Sequence, residues 1–208
     1  MKVLITAGPT WIKIDDIRII TTIFTGGTGL YLAKEFKKNG DDVTLLINSH
    51  YIGKIKDLNV INFRYFDEFK KIVIETLKKN NYDLIIHSAA VSDYRLKRTF
   101  SGKIPSNKNL KLELVPTEKI IKIIKRLAKD SVVVQFKLEI KRKDLIKKAY
   151  NSLLENKSNF VVANALDDLK KDYKAFIIDR EKNIIEVNSK KELFLNLNKL
   201  FKSKLYDF

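Results

Sequence analysis

The chain has 208 residues, with 41 Lys+Arg against 25 Asp+Glu and a formal net charge of +16. That length suits one α/β domain and is too short for two of full size, and the absence of cysteine excludes a disulfide framework, a thiolate metal site and a cysteine nucleophile. The positive excess is mostly Lys scattered among Ile and Asn, while Arg, which grips phosphates and bases bidentately, is sparse; the composition argues for small anions over nucleic acid as partners.

Met1 leads straight into Lys2–Ala7, a strand-like start without the apolar stretch of a secretion signal. No apolar run approaches the roughly 18 residues of a membrane span, so a cytoplasmic protein with no membrane contact is expected. Lys2–Ala7 is a near-continuous apolar run, as are Tyr82–His87, Ser131–Phe136 and Asn159–Ala163; such runs mark strands covered on both faces. Asp42–Ile47 and Val60–Phe63 add two further strands. The amphipathic stretches Leu30–Lys38, Phe66–Lys79, Thr117–Lys129 and Asp144–Asn156 alternate with them as helices. Tyr173–Asp179 and Asn183–Val187 flank Arg180-Glu181-Lys182 as an antiparallel hairpin, and a last helix starts at Ser189, with Glu192 completing a capping box. The order predicts a Rossmann-like, doubly wound, mainly parallel sheet in one domain over residues 1–208, ending in an antiparallel hairpin. Only Ser92–Asn109, polar and irregular around Gly102 and Pro105, breaks the rhythm; a loop of that length predicts a lid.

Open α/β sheets bind ligands beyond the carboxyl ends of their strands. Those ends read Ala7-Gly8-Pro9-Thr10, Ser88-Ala89-Ala90-Val91-Ser92-Asp93, Gln135-Phe136-Lys137 and Ala163-Asn164, small or polar residues that let a ligand approach backbone. Thr25-Gly26-Gly27-Thr28-Gly29 precedes the helix at Leu30. Clustered glycines at a helix N-terminus offer N–H groups and the positive end of the dipole to a phosphate; they equally suit close packing of a helix on a sheet.

Several chemistries are excluded by inspection. There is no G-x-x-x-x-G-K-[ST] loop and no Tyr followed four residues later by Lys. The second strand ends Ile47-Asn48-Ser49 without the acid that holds a ribose in NAD sites. Neither G-x-S-x-G nor H-E-x-x-H occurs. His50 and His87 have no metal-pair spacing, no metal-ligating cluster is expected, and His87 reads as a packed histidine with a satisfied hydrogen bond.

Ala7-Gly8-Pro9-Thr10 with Ile14-Asp15-Asp16-Ile17-Arg18, then Thr25-Gly26 and Gly29, resembles the opening motif of the phosphopantothenoylcysteine synthetases (phosphopantothenate–cysteine ligases). His87-Ser88-Ala89-Ala90-Val91-Ser92-Asp93-Tyr94, Lys103-Ile104-Pro105-Ser106, Gln135-Phe136-Lys137-Leu138 and Val162-Ala163-Asn164 resemble that family's later motifs, in the same order over nearly the whole chain. The length is that of a stand-alone synthetase without a fused flavin decarboxylase. The resemblance implies a step of coenzyme A biosynthesis: the carboxylate of 4′-phosphopantothenate attacks the α-phosphate of ATP or CTP, releasing pyrophosphate, and the amine of cysteine displaces the nucleotide. It implies catalytic positions at Lys103 and Thr22. It further implies that the nucleotide is lined by Gly8, Thr10, Ser88, Ala89, Asp93, Lys103, Thr117 and Phe136 and that phosphopantothenate is held by Arg18, Thr25, Gly26, Gly29 and Asn164. A Mg²⁺ ion that bridges the phosphates and is held largely by the substrate is expected, as is a homodimer that completes each site across its interface.

The chain departs from the family pattern at Pro9, where the family has Gly, at Ile12, often acidic, and at Thr22, where it has Asn. A threonine hydroxyl is shorter than a carboxamide and offers fewer hydrogen bonds. Ile23-Phe24 makes the same segment apolar. Lysines that some members use on the triphosphate align with Ser152 and Asn156, with Lys137, Lys141 and Lys143 close by. Two other readings stand beside the ligase: a non-catalytic nucleotide-binding homologue and a basic nucleic-acid-binding module.

Overall fold

Along the first strand, Val3, Ile5 and Ala7 enter one apolar cluster while Leu4 enters another, and all four are fully buried. Alternate side chains of a strand point to opposite faces, so a strand apolar at every position must be covered on both. The computed structural model, which describes residues 1–48, 50, 55–107, 109–169 and 173–206, shows how this is done. Ser49 and Lys108, which fall within segments interpreted above, lie outside the described residues.

In chain order the elements are β1 (Lys2–Ala7), β2 (Ile12–Lys13), β3 (Ile19–Ile20), α1 (Gly27–Lys38), β4 (Asp42–Ile47), β5 (Asn59–Asn62), α2 (Phe66–Lys79), β6 (Leu84–His87), β7 (Tyr94–Leu96), β8 (Leu114–Pro116), α3 (Ile120–Leu127), β9 (Val132–Glu139), α4 (Leu145–Asn156), β10 (Phe160–Ala165), α5 (Leu166–Leu169), β11 (Ala175–Asp179), β12 (Ile184–Val187) and α6 (Lys190–Tyr206). The main sheet has the order β12-β11-β10-β9-β6-β1-β4-β5. Its strands are parallel from β10 to β5, and β11 and β12 are antiparallel at the other edge. One face packs against Leu32, Ala33 and Phe36 of α1 and Leu193, Leu197 and Phe201 of α6. The opposite face is covered by α2 and α3 over β1, β4, β6 and β9, and by Leu145, Ala149 and Leu153 of α4 over β10 and β11. In α3, Ile120, Ile121, Ile123 and Ile124 are all buried, each worth about 1.5–3 kcal/mol on transfer from water. Among the described residues no helix is long and apolar enough to cross a membrane.

The doubly wound sheet and its hairpin are as expected, and the boundaries differ for local reasons. α1 starts at Gly27 instead of Leu30, because Gly26 takes the N-cap position at φ 86° and the following residues already form its first turn. α3 starts at Ile120 instead of Thr117, because Thr117 is tied to the β6–β7 connection: its N–H donates to the Asp93 carbonyl (2.9 Å) and its hydroxyl to the Ser92 carbonyl (2.6 Å). β9 runs on to Glu139 through polar residues, since its ladder with β10 continues to the pair Glu139 and Ala165. At α6, the Glu192 N–H donates to Ser189 Oγ (3.0 Å), but the Glu192 carboxylate accepts from Asn188, one residue farther back than in a capping box.

Two small ribbons lie outside the main sheet. β2 pairs with β3, forming an arm over residues 12–20, and β7 pairs with β8. The second ribbon shifts the expected lid along the chain: Tyr94–Leu96 is strand, and the irregular stretch runs between Leu96 and Leu114.

Candidate functional site

The chain leaves β1 toward β4 and β5 on one side, then returns to lay β6, β9 and β10 on the other. The switch point therefore falls between β1 and β6, where an open sheet leaves a crevice beyond the strand ends. The two strands stay together past their ends: the Thr10 N–H donates to the Ala90 carbonyl (3.2 Å) and the Ala90 N–H to the Gly8 carbonyl (2.9 Å). Helix α1 comes down onto this junction. A Cβ on Gly26 would sit 2.5 Å from the Gly8 nitrogen, and one on Gly29 would sit 2.5 Å from Ser88 Oγ and 2.6 Å from Ala7 Cβ. These two glycines thus bring helix and sheet into backbone contact, while a Cβ on Gly27 would meet only side-chain atoms at ordinary contact distance, Thr25 Oγ1 (3.7 Å) and Lys190 Nζ (3.9 Å). The N-terminus of α1 has no side-chain cap and no acid in its first turn, so no side chain offsets the positive end of its dipole where Gly26 meets Gly8 beyond β1.

The structure brings Gly8, Thr10, Ser88, Ala89, Gly26 and Gly29 together at this junction, several through bonds that occupy their side chains. Thr10 is fully buried and its hydroxyl accepts from the Ser92 N–H (2.9 Å). Ser88 Oγ donates to the Thr6 carbonyl (2.7 Å). Asp93 is exposed and paired with Lys119 Nζ at 2.6 Å, and Thr117 is held by the same turn. Phe136, at the end of β9, is half-buried against the cluster that includes Leu30 and Tyr31. Asn164 lies apart: it is on β10, three strands from β1 and roughly 14 Å across the sheet, and its Nδ2 donates to the Lys174 carbonyl (3.2 Å). Beside it, burial pushes the Tyr173 phenol up to about 12. His87 is packed as expected. Its Nδ1 lies 2.7 Å from Thr6 Oγ1, its ring is parallel to that of Phe69, and burial pushes it down to about 4, so it is neutral near pH 7.

Thr21 and Thr22 carry the arm back toward Thr25 and α1. Thr21 Oγ1 donates to the Thr10 carbonyl (3.3 Å), whereas the Thr22 hydroxyl is buried and has no hydrogen-bond partner among the described residues. Arg18 sits at the far end of the arm. Its Nη1 and Nη2 both donate to the Ile104 carbonyl at 3.2 Å, and Nη1 also meets Asp15 Oδ2. Lys103, the residue next to Ile104, is exposed, and its ammonium makes no ion pair among the described residues.

Asp15 organises this corner. Its side chain is fully buried. Oδ1 accepts from the N–H groups of Ile17 (3.0 Å) and Arg18 (2.7 Å); Oδ2 accepts from the Ile104 N–H (3.1 Å) and from Arg18 Nη1. Burial alone would push this carboxyl up. The N–H groups of Ile104, Ile17 and Arg18 and the Arg18 guanidinium outweigh burial and hold it down at about 2.

Sequence reasoning missed three residues here. Asp15 was visible only as part of a motif. Asn48 is fully buried and its Nδ2 donates to the Pro9 carbonyl (2.9 Å), fixing the turn after β1. Lys190 reaches the α1 N-terminus from the start of α6, and only the packing of α6 on α1 puts it there. Conversely, Ser152 and Asn156, which align with triphosphate lysines, turn inward to Gln135: Gln135 Nε2 donates to Ser152 Oγ (3.1 Å) and Asn156 Nδ2 donates to Gln135 Oε1 (3.0 Å). Lys137 is paired with Glu139 at 3.2 Å. Two cavities of about 290 and 300 Å³, one beside Tyr82 and one beside Trp11, contain none of the predicted site residues.

A doubly wound sheet with an uncapped, glycine-opened helix at its switch point defines an α/β protein of Rossmann-like architecture. Residues 1–204 match the DNA/pantothenate metabolism flavoprotein C-terminal domain family, and the chain belongs to that family. It is 36% identical over 167 residues to the coenzyme A biosynthesis bifunctional protein CoaBC of Thermococcus kodakarensis, covering 79% of this chain and 41% of the relative. It is 34% identical over 178 residues to the CoaBC of Methanocaldococcus jannaschii, covering 83% and 41%. The chain thus spans about two fifths of the length of these curated relatives. Among solved structures, the C-terminal domain of a CoaBC superposes with a TM-score of 0.82 at 25% identity, covering 100% of this chain and 96% of that one. A Cab2 mutant in complex with phosphopantothenate-cysteine shares the fold with a TM-score of 0.81 at 19% identity, covering 99% and 88%.

Proposed function

We propose that this chain is a phosphopantothenate–cysteine ligase acting in coenzyme A biosynthesis, with a nucleotide triphosphate, ATP or CTP, as co-substrate. Support comes from the membership of its family, from CoaBC relatives named for coenzyme A biosynthesis, and from one observation above the others: the uncapped N-terminus of α1 pressed onto the carboxyl end of β1 at the switch point. Phosphate oxygens facing that helix end accept its N–H groups, and Lys190 adds a cation beside them. Lys103, exposed and unpaired, is available to neutralise the triphosphate as the carboxylate oxygen attacks the α-phosphorus and pyrophosphate departs. The amine of cysteine then attacks the acyl carbon, the nucleoside monophosphate leaves, and the nitrogen gives up a proton. A Mg²⁺ ion, in this reading, would be held largely by the substrate and would offset the charge of the phosphates.

The arm supports a second copy completing the site. Arg18 lies at its far end next to the exposed Ile17 (64%); Ile23 (79%), where the chain returns to α1, and Tyr94 (56%), on the β7 strand that contacts β2, are exposed too. A homodimer that covers these residues would bring one protomer's arm to its partner's crevice.

Pyrophosphate release with phosphopantothenate, cysteine and either ATP or CTP tests the ligase; no release with any combination overturns it. The buried, unpartnered Thr22 hydroxyl favours a second reading, a homologue that binds nucleotide without turnover. That reading expects a nucleotide to raise the melting temperature without pyrophosphate release. Thr22→Asn separates the two: in a working ligase it changes the rate by about tenfold or less in either direction, whereas a gain from zero to measurable acyl-nucleotide formation marks a lost activity.

A further inference from the structure

Lys103 is held from both sides while its own side chain is left over. On one side the Gly102 N–H donates to Asp16 Oδ2 (2.8 Å) and the Gly102 carbonyl accepts from the Asp16 N–H (3.1 Å). On the other side the Ile104 N–H donates to Asp15 Oδ2 (3.1 Å) and the Ile104 carbonyl accepts from Arg18 (3.2 Å). Farther back, the Phe100 N–H donates to the Ile14 carbonyl (2.9 Å). A segment without regular structure of its own is thereby tied, residue by residue, to the arm at 14–18. Of these anchors only Asp15 is a fully buried charge, and each of its oxygens takes two donors: Oδ1 both N–H groups of its own turn, Oδ2 the Arg18 guanidinium and, from across the chain, the Ile104 N–H.

We infer that Asp15 is the positioning residue of the Lys103 loop: without touching a substrate, its carboxylate sets where the Lys103 ammonium is presented to the anion that the crevice binds. The inference deepens the reading of Lys103 as a phosphate partner and rests on it. A carboxylate suits the task because all four groups facing it are donors, from Ile17, Arg18, its guanidinium and Ile104. A carboxamide, in either orientation, must aim its NH₂ at two of them. A serine keeps an acceptor short enough to close the turn onto Ile17 and Arg18 but cannot span to Ile104. Asp15→Ser therefore releases the loop while keeping the turn, and Asp15→Asn disturbs both. Displacement of a charged group by about 1 Å is enough to cost up to about 100-fold in rate.

The test is a double-mutant cycle on the rate of pyrophosphate release at limiting nucleotide, with amide hydrogen exchange at Ile104. In the unaltered chain the Ile104 amide is expected to exchange at least about tenfold more slowly than that of Lys103, which has no such acceptor among the described residues; equal rates overturn the proposal even if every Asp15 variant fails to fold. Asp15→Ser is expected to lower kcat/KM for the nucleotide about 10- to 100-fold and to remove the Ile104 protection, with a fall in melting temperature that is the same on the Lys103→Gln background. On a Lys103→Gln background the same change is expected to cost less than about threefold, because the side chain it positions is gone. A full, additive loss on that background shows that Asp15 acts elsewhere and sinks the proposal while leaving Lys103 in place. Full activity in Lys103→Gln alone instead removes the reading of Lys103, and the positioning role with it.

Discussion

The sheet and the arm of this protein are held by different physics. Between α1 and β1, Leu32, Ala33 and Phe36 meet Val3, Ile5 and Ala7 with no exposed surface, and the contact depends on volume and apolar area, which pH and salt scarcely touch. At the arm, Ile17 is exposed and Ile19 and Ile20 are half-buried; the contact with the 100–104 segment runs through hydrogen bonds and one buried carboxylate. Such a contact is directional, sensitive to a single atom and separable from the stability of the rest. The family motifs fall mostly where these two kinds of structure meet.

The contrast can be broken from either side. Phe36→Ala should cost about 3–5 kcal/mol, since a fully buried ring leaves a cavity that the close-packed face cannot fill; denaturant unfolding reads this directly, and a loss under 1 kcal/mol would mean that the α1 face is loosely packed. Lys103→Gln should do the reverse. It should lower pyrophosphate release by about 10²–10³-fold while the melting temperature stays within about 1 °C; an equal loss of stability would make this lysine structural.

Gly29→Ala probes the seam between α1 and the ends of β1 and β6. Its Cβ would lie 2.6 Å from that of Ala7 and 2.5 Å from Ser88 Oγ, so α1 must lift off the strand, at about 1–3 kcal/mol with a parallel loss of nucleotide binding. Gly27→Ala, which meets nothing closer than 3.7 Å, should be tolerated within about 1 kcal/mol at this first-turn position. Equal effects of the two substitutions on melting temperature would remove the close-packing account.

The smallest effect is on acidification. The folded Asp15 carboxyl is held at about 2, below its value of about 4 in an unfolded chain. Its contribution is therefore complete above about pH 4 and is lost as the pH falls from about 4 to about 2. Exchange protection at Ile104 should disappear across that window ahead of global unfolding. Loss of protection already near pH 6 would show that another group controls the loop. His87 adds no titration near neutrality, because burial keeps it uncharged down to about pH 4.

What the order of residues determined unaided was the layered sheet. Two-sided apolar runs and 3.6-residue periodicity are local signals, and β1, β4 and α2 were legible to the residue for that reason. The motifs at the strand ends were legible as well, although the bonds that occupy Thr10, Ser88 and Thr117 were not. Only the tertiary structure decided what the glycines do, since a Cβ clash between Gly29 and Ser88 involves residues 59 positions apart. The same holds for Asp15 and Ile104, 89 positions apart, and for Lys190 above α1. A hydrogen bond or an ion pair across such a separation leaves no periodicity in the chain; it exists only once burial has folded the sheet and carried its partners into reach.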